Sequence, residues 1–490
     1  MKDRYRVVIA GAGPAGCILA RDLARAGVPV TVFEKGASKN LGHDWSDAVE
    51  RSALEGAGFS LPPDGTVHRG PRVKSTGGDP GRSSGIGAKI DPAERIFEEH
   101  GYPEMEVWAP DYSCAKKIQF RYITTDRRAL GRLLAREAED AGAEIRYRHE
   151  VTGLLSSDTA VTGVRVKDAD TDSEHDESAD VVVDAAGFAG ALRFELPENL
   201  PTARELTSPF RAGDFARVFR TVRERRTDVE DDLRDHYRYG YHTGYQWVQY
   251  LNDREIDVGA GIGDDPANPD PREIVEEFIS RHSSISDREV RGGGGRCLVG
   301  RSPYSLVTSG FLIVGDSAGQ TIPMTGCGAG GAMAGARLAA KTLIRAAETG
   351  RNDITALWPY GYGWFVESER GSSYAGLSAL KNSLQSLSHE EISFLFRRDI
   401  LDARMLTASI NGAFLEPGLK DTLKALVRGI ARPGVLMKLN TAISLGKRIH
   451  RHYRRYPKEY HEDSFATWTE DAREIFGAPG EEQEDALPSA

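Results

Sequence analysis

The 490-residue chain has little cysteine: Cys17, Cys114, Cys297 and Cys327 are all it carries. None form C-x-x-C and none stand at zinc-like spacing, which excludes a cysteine-ligated cluster module and a disulfide framework. So few thiols suit a reducing compartment. Long apolar runs are lacking too; none approaches the ~20 residues that a helix needs to cross a bilayer. No secretory signal precedes the first strand. The expected location is cytoplasmic, with the membrane surface as a further candidate. Basic charge is in deficit: the net charge of −10 argues against general nucleic-acid binding, so no nucleic-acid partner is expected. Internal repeats are absent, and no metal site is expected. What remains is 40% apolar and 28% charged residues, ordinary for a globular protein and long enough for about three domain-sized units.

The chain is organised around residues 5 to 34, YRVVIAGAGPAGCILARDLARAGVPVTVFE. Val7-Val8-Ile9-Ala10 has the β-branching of a buried strand. Gly11, Gly13 and Gly16 follow at G-x-G-x-x-G spacing, then an Ala-rich helix from Pro14 to Ala26 stopped by Gly27. A second strand, Val30 to Phe33, ends at Glu34. In such a β-α-β unit Gly11 permits the tight turn, Gly13 lets backbone approach a pyrophosphate, and Gly16 lets helix and strand pack closely. Free N–H groups at the helix start face negative charge. The Glu34 carboxylate accepts from ribose hydroxyls. The competing reading is a structural Gly-rich turn.

Residues 36 to 100 are rich in Gly, Pro and charge and read as loop and short strands, with one helix around Trp45 to Glu55. His43, Asp44 and Trp45 either reach the cofactor region or form a solvated loop with a cap at Asp44 or Ser46. Ile118 to Ile123 alternates like a strand. Thr125-Asp126 caps a helix over 127 to 141 that stops at Gly142. Strands follow at Glu144 to Tyr147, Val161 to Val166 and Asp180 to Asp184. Between residues 197 and 297, Gly244 to Gly263 reads as two antiparallel strands joined at Asn252-Asp253. Pro271 to His282 reads as a helix, and Gly292 to Gly295 as the return to the first domain.

The second anchor is GFLIVGDSAGQTIPMTGCGAGGAMAGARLAAKTLI, starting at Gly310. Phe311 to Val314 is a buried strand with Asp316 at its carboxyl end, where open α/β sheets bind ligands. Pro323, Gly326, Gly328 and Gly330 lead into a long Ala-rich helix. The acid followed by a Gly-lined helix start suits a ribityl chain and a ring oxygen; a structural β-α crossover is the alternative. Residues 351 to 470 are largely helical. The basic-aromatic run 447 to 456 is either a solvated helix face or a surface for anionic headgroups. The acidic tail from Pro479 reads as disordered.

Three motifs together resemble flavin oxidoreductases with the p-hydroxybenzoate hydroxylase-type fold: GAGPAG with Glu34, Arg127 leading its helix in TTDRRAL, and Asp316 with Pro323, Gly326 and Gly328. Within that group the chain looks most like the geranylgeranyl reductase family. The GDSAGQTIPMTGCGAGGAMAG segment and the C-terminal helical extension carry the likeness. Tyr245-Gln-Trp247 stands where the family has Y-x-W-x-F-P, although Gln249-Tyr250 replaces Phe-Pro.

The resemblance implies an α/β fold: a Rossmann-like FAD-binding domain, an inserted antiparallel-sheet substrate domain and a C-terminal helical region. It divides the chain into 1–55, 118–196 and 298–350 for the discontinuous FAD-binding domain, 56–117 and 197–297 for the substrate domain, 351–478 for the helical region and 479–490 for the tail. FAD is the implied cofactor, touched by Gly11, Gly13, Ala15, Gly16, Glu34, Lys35, Arg127, Gly315, Asp316, Pro323, Gly326, Gly328 and Ala329. Tyr245 and Trp247 are candidates for the substrate wall or ordinary cross-strand pairs. The implied reaction adds hydride and a proton across isoprenoid double bonds of a geranylgeranyl lipid or diphosphate, with an external donor such as NADPH or a ferredoxin-like protein. No acid is identified; Cys327 is a candidate proton donor or a packing residue. Competing readings are a flavin monooxygenase or halogenase, and a flavoprotein passing electrons to a quinone or protein partner.

Overall fold

The computed structural model describes residues 5–59, 61, 97–98, 104–119, 122–189, 192–226, 228–229, 233 and 235–476. Val7–Ala10 (β1) is a run of fully buried apolar residues. Pro14–Arg25 (α1) follows, with proline in the first turn, where its missing N–H costs nothing. Val30–Glu34 (β2) returns parallel to β1. Next come Ser46–Glu50 (β3), Arg51–Gly56 (α2), Phe97–Glu98 (β4), Glu104–Trp108 (β5), Ala115–Gln119 (β6) and Tyr122–Asp126 (β7). Arg127–Asp140 (α3) starts under the Asp126 side chain, which accepts from the Ala129 N–H. Glu144–Tyr147 (β8) is followed by the antiparallel meander His149–Ser156 (β9), Val161–Asp168 (β10) and Glu174–Ser178 (β11), then by Val181–Asp184 (β12).

The middle of the chain gives a short helix, Ala203–Leu206 (α4), and strands Phe215–Arg225 (β13), His236–Tyr241 (β14), Gly244–Tyr250 (β15) and Glu255–Gly263 (β16). Pro271–Ser280 (α5), Ile285–Leu298 (β17), Val307–Thr308 (β18), Phe311–Ile313 (β19) and Ala329–Thr349 (α6) follow. The C-terminal region is helical: Ile354–Leu357 (α7), Pro359–Tyr362 (α8), Arg370–Leu384 (α9), His389–Arg397 (α10), Ala403–Ile410 (α11), Leu419–Gly429 (α12), Pro433–Tyr453 (α13) and Glu462–Phe476 (α14).

Two sheets organise these elements. The first runs β18-β19-β12-β1-β2-β8 and is parallel from β19 to β8. Helix α1 packs on β1 and β2 and is flanked by α3 and α6, while the β9–β11 meander packs on β2 and β12. Covering both faces is what lets its inner strands be mostly apolar, with Thr31, Glu34 and Asp184 as the exceptions. The second runs β17-β13-β16-β15-β14-β5-β6. Helix α5 packs on β13 and β16, burying Val248, Ile256, Val258 and Ile262 against Ile274, Val275 and Phe278. The opposite face of this sheet looks toward the first domain.

Three sequence expectations change. Trp45 to Glu55 is not one helix: residues 46–50 are strand β3, paired antiparallel with β7 some seventy residues on, a partner that local periodicity does not reveal. Ile118 to Ile123 is split between β6 and β7, which belong to different sheets. Gly292 to Gly295, read as the return toward the first domain, still belongs to the second sheet, within the long edge strand β17 paired with β13. The acidic tail from Pro479 lies outside the described residues.

Candidate functional site

The carboxyl ends of β1, β2, β12 and β19 meet at one crevice. Gly11, at φ +99°, makes the turn out of β1; a Cβ there would lie 2.6 Å from the Ala185 carbonyl oxygen. At Gly16 a Cβ would come within 2.0 Å of the Gly11 oxygen, so helix and turn close only around a missing side chain. Gly13 has nothing within 4 Å of its would-be Cβ and leaves the loop open. Glu34 accepts from Ala12 N–H at 2.8 Å and Gly36 N–H at 2.8 Å, so it is fixed beside the turn, with exposed Lys35 next to it. Buried Ala15 lies 3.1 Å from where a Gly315 Cβ would be, which brings the β19 turn against α1. Asp316 and Glu34 therefore edge the same crevice.

The crevice is built for an anion and a polyhydroxyl chain. Helices α1 and α6 both begin there, at Gly13 and Gly328, without a side-chain cap. By contrast α5, α10 and α11 start under Asp270, Ser388 and Asp402. The uncapped first-turn N–H groups of α1 and α6, including that of Ala329, remain for a ligand. Half-buried Asp316 is held by the Thr321 hydroxyl at 3.3 Å. Burial raises its pKa, against the opposing pull of the nearby Arg127, the Thr321 hydrogen bond and His43. Arg127 in turn bonds Asp47 at 3.1 Å and donates its backbone N–H to the Trp45 carbonyl at 3.1 Å. His43 stacks on Trp45 with ring centres 4.5 Å apart. The loop that bears His43 and Trp45 is thus tied to the crevice through Arg127. Asp184, at the end of β12, is pushed up to about 6 by burial although it accepts from Ala186 N–H and the Ser317 hydroxyl. Together these features fit a dinucleotide cofactor.

From Asp316 the chain passes to the loop Pro323–Cys327, which forms one wall of a cavity of about 260 Å³. The second sheet forms the facing wall. Tyr245 and Trp247 alternate onto that face, while Gln246 and Val248 point into the opposite core. The Tyr245 hydroxyl donates to the Thr325 carbonyl at 2.5 Å, and Tyr239 reaches the Met324 sulfur at 3.8 Å. These contacts tie sheet to loop. Gly259, opposite Trp247 on β16, gives the indole its seat: a Cβ there would lie 2.0 Å from the ring. Tyr237 stands 5.5 Å from Tyr245, ring centre to ring centre. Leu384, Leu387, Ile392 and Leu401 extend the apolar lining into the helical region.

Polar groups are few there and strongly perturbed. Arg220 of β13 and Asp257 of β16 form a buried ion pair, with the guanidinium between the Trp45 and Trp247 rings. Burial raises Asp257 despite Arg220 and the Trp247 indole N–H. Lys381 of α9 is pushed down to about 8 by burial and donates to the Gly213 and Val299 carbonyls. Burial pushes the thiols of Cys297 and Cys327 up to about 12, so both stay protonated at neutral pH. Among the described residues no group of His, Cys, Asp or Glu is arranged to hold a metal.

The structure thus sets the loop from Pro323 through Gly326 to Cys327 and the Tyr245–Trp247 pair around one cavity, with Asp316 and the crevice at the far end of that loop, where a Gly328 Cβ would lie 2.8 Å from the Asp316 carboxylate. The basic-aromatic run lies elsewhere. Its charges bond the body: Lys447 and Arg451 reach Glu416, and Arg454 reaches Glu369, while Tyr453 and Tyr456 are buried. Sequence reasoning missed Arg220, Asp257 and Lys381. Asp257 carried a signal, a charged residue between Ile256 and Val258 in an otherwise apolar buried strand; Arg220, in a strand with several charges, and Lys381, on helix α9, carried none.

A family model described as FAD binding domain matches residues 6–230. A digeranylgeranylglycerophospholipid reductase of Sulfolobus acidocaldarius is 24% identical over 477 residues, covering 96% of each chain. Among solved structures, a geranylgeranyl bacteriochlorophyll reductase-like protein of Thermoplasma acidophilum superposes with a TM-score of 0.65 at 16% identity, covering 89% of this chain and 99% of its own. The flavin-dependent brominase Bmp2 has the same fold at a TM-score of 0.56 and 15% identity, over 93% of this chain and all of its own.

Proposed function

We propose, from the premise that the chain belongs to the geranylgeranyl reductase family of FAD-dependent oxidoreductases, that it saturates isoprenoid double bonds of a geranylgeranyl chain carried on a lipid. The supporting observation is the apolar, aromatic-walled cavity that abuts the Pro323–Cys327 loop directly beyond the crevice. An alkene offers no oxyanion to stabilise, so shape, orientation and water exclusion are what the protein contributes. The named relative acts, as its name states, on a digeranylgeranylglycerophospholipid; a lipid-borne chain is adopted here on that likeness.

Residue roles follow from position. Uncapped N–H groups at the starts of α1 and α6 hold the FAD phosphates and ring edge, with Gly11, Gly13, Ala15 and Gly16 giving backbone approach. Glu34 holds the adenosine ribose, and Asp316, with Gly315 beneath it, holds the ribityl portion. Arg127 neutralises charge between Asp47 and Asp316. When bound and reduced, FAD supplies the hydride, drawn in turn from an external donor. Tyr245 and Trp247 orient the chain against the loop, and Tyr237 closes the same aromatic wall. Cys327 keeps its proton and stands on the loop that walls the cavity, where it is one candidate for protonating the second carbon beside Cys297 and Tyr245.

The decisive assay is anaerobic: dithionite-reduced enzyme with a geranylgeranyl lipid should give products heavier in two-dalton steps by mass spectrometry. No mass gain on any polyprenyl substrate, with substrate-dependent oxygen consumption in a parallel aerobic assay, would transfer the proposal to an oxygenase.

A further inference from the structure

The five most exposed large apolar side chains of the described residues lie within fifteen positions. Leu423, Leu426, Val427, Ile430 and Met437 are 55 to 79% exposed. Four of them fall at i, i+3, i+4 and i+7 along α12 and its end, one stripe on one face of the helix. The helix is docked the wrong way round for a globular protein. Its polar side holds the body: Arg428 bonds Asp399, and Asp421 bonds Arg404. Gly429 is buried against Leu436 of α13, turning the chain tightly beneath the stripe. Single exposed apolar residues need no explanation; a contiguous helical stripe does.

We infer that α12 and the start of α13 form a docking face for a lipid bilayer. Three observations favour lipid over a protein partner. Residues 419 to 438 carry Lys420, Lys424, Arg428, Arg432 and Lys438 against the single acid Asp421, in a chain of net charge −10. Asp399, Glu390 and Glu391 bond four of these cations and moderate the positive rim, so burial of the stripe is the main force and attraction to anionic headgroups is secondary. Long lysine stems beside an apolar stripe can keep their charge in the headgroup layer. Finally, the stripe borders a cavity of about 180 Å³ between α12 and α13, lined by Leu426, Leu436, Leu439 and Ile443 together with charged groups that include Lys424 and Lys447. Leu439 belongs to the same apolar cluster as Leu387, Ile392 and Leu401, which line the main cavity. The face therefore selects a substrate resident in the membrane over a free diphosphate; this second half rests on the prenyl reduction proposed above.

The test uses the full-length holoenzyme with sedimenting vesicles of phosphatidylcholine, alone or mixed with phosphatidylglycerol. Wild type should bind both, more tightly when the vesicles are anionic. Leu423→Glu with Ile430→Glu should lower binding ~10-fold or more, with flavin content and melting temperature unchanged because both side chains are exposed. Val290→Asp, an exposed apolar residue on β17, should bind like wild type. Failure of wild type to bind vesicles, or equal binding by the double variant, would overturn the docking face. A wild-type dimer that the double variant splits would assign the stripe to a second copy of the chain and overturn it as well. In turnover, the double variant should lose activity on vesicle-borne prenyl lipid and keep it on free geranylgeranyl diphosphate. Should wild type reduce neither substrate while vesicle binding still depends on Leu423 and Ile430, the reaction falls and the docking face stands.

Discussion

The crevice at the ends of β1, β2, β12 and β19 is made mostly of backbone, whereas the cavity over β13 to β16 is made of side chains. The crevice is shaped by missing side chains, at Gly11, Gly13 and Gly16, and by helix starts left uncapped. Across the Pro323–Cys327 loop, the walls are large groups set face to face: Tyr237, Tyr245, Trp247 and the Arg220–Asp257 pair. A backbone site is invariant to what the ligand carries beyond the cofactor. A side-chain cavity is where a shared fold acquires its own substrate, which is how this architecture also serves a brominase.

The sharpest way to break that contrast is Gly16→Ala. The added methyl meets the Gly11 carbonyl at 2.0 Å, so the turn must open. The protein should purify without yellow colour and lose about 2 kcal/mol or more in urea unfolding. Retention of flavin would show that the crevice tolerates side chains after all. The cavity should fail by charge instead. Asp257→Asn leaves the buried Arg220 guanidinium without its carboxylate and should cost about 3–5 kcal/mol. Pairing Arg220→Met with Asp257→Leu should recover most of that loss, measured by the same unfolding curves.

Lys381 offers a comparison by pH. Its folded-state value of about 8 lies below that of an unfolded lysine, near 10.4. Below pH 8 both states hold the proton and the folded protein bears the full burial cost. Between pH 8 and 10 the unfolded chain binds more protons, so wild type should gain stability relative to Lys381→Met as pH rises, by up to about 3 kcal/mol. A flat difference from pH 7 to 10 would contradict the buried, depressed lysine. The smallest effect is expected from Tyr245→Phe, which removes one hydrogen bond to the Thr325 carbonyl and keeps the aromatic wall. It should cost about 1 kcal/mol and leave flavin bound. A change in turnover larger than that in stability would make Tyr245 a positioning residue for the substrate as well as a tie between sheet and loop.

Much of the crevice was legible from residue order, because a β-α-β unit is local. Val7 to Glu34 contains its own strand, turn, helix and acid, and nothing distant is needed to read them. The second anchor at Asp316 was legible for the same reason. Strand β3 was misread as helix since its identity comes from β7, and the strand identity of Gly292 to Gly295 went unread since its partner is β13. The amphipathic pattern of α12 is plain in the letters, yet they do not say which side faces outward.

What the amino-acid order determined by itself is a pair of glycine-lined strand ends, each specified within about thirty residues by hydrogen-bonding and steric needs of the backbone. What only the tertiary structure decided is the substrate side: that Tyr245 and Trp247 turn toward Pro323–Cys327, that Arg220 finds Asp257, and that α12 shows its apolar stripe to solvent. The reason is range. Backbone geometry is fixed by neighbours in the chain, while a cavity is the space left when distant surfaces pack.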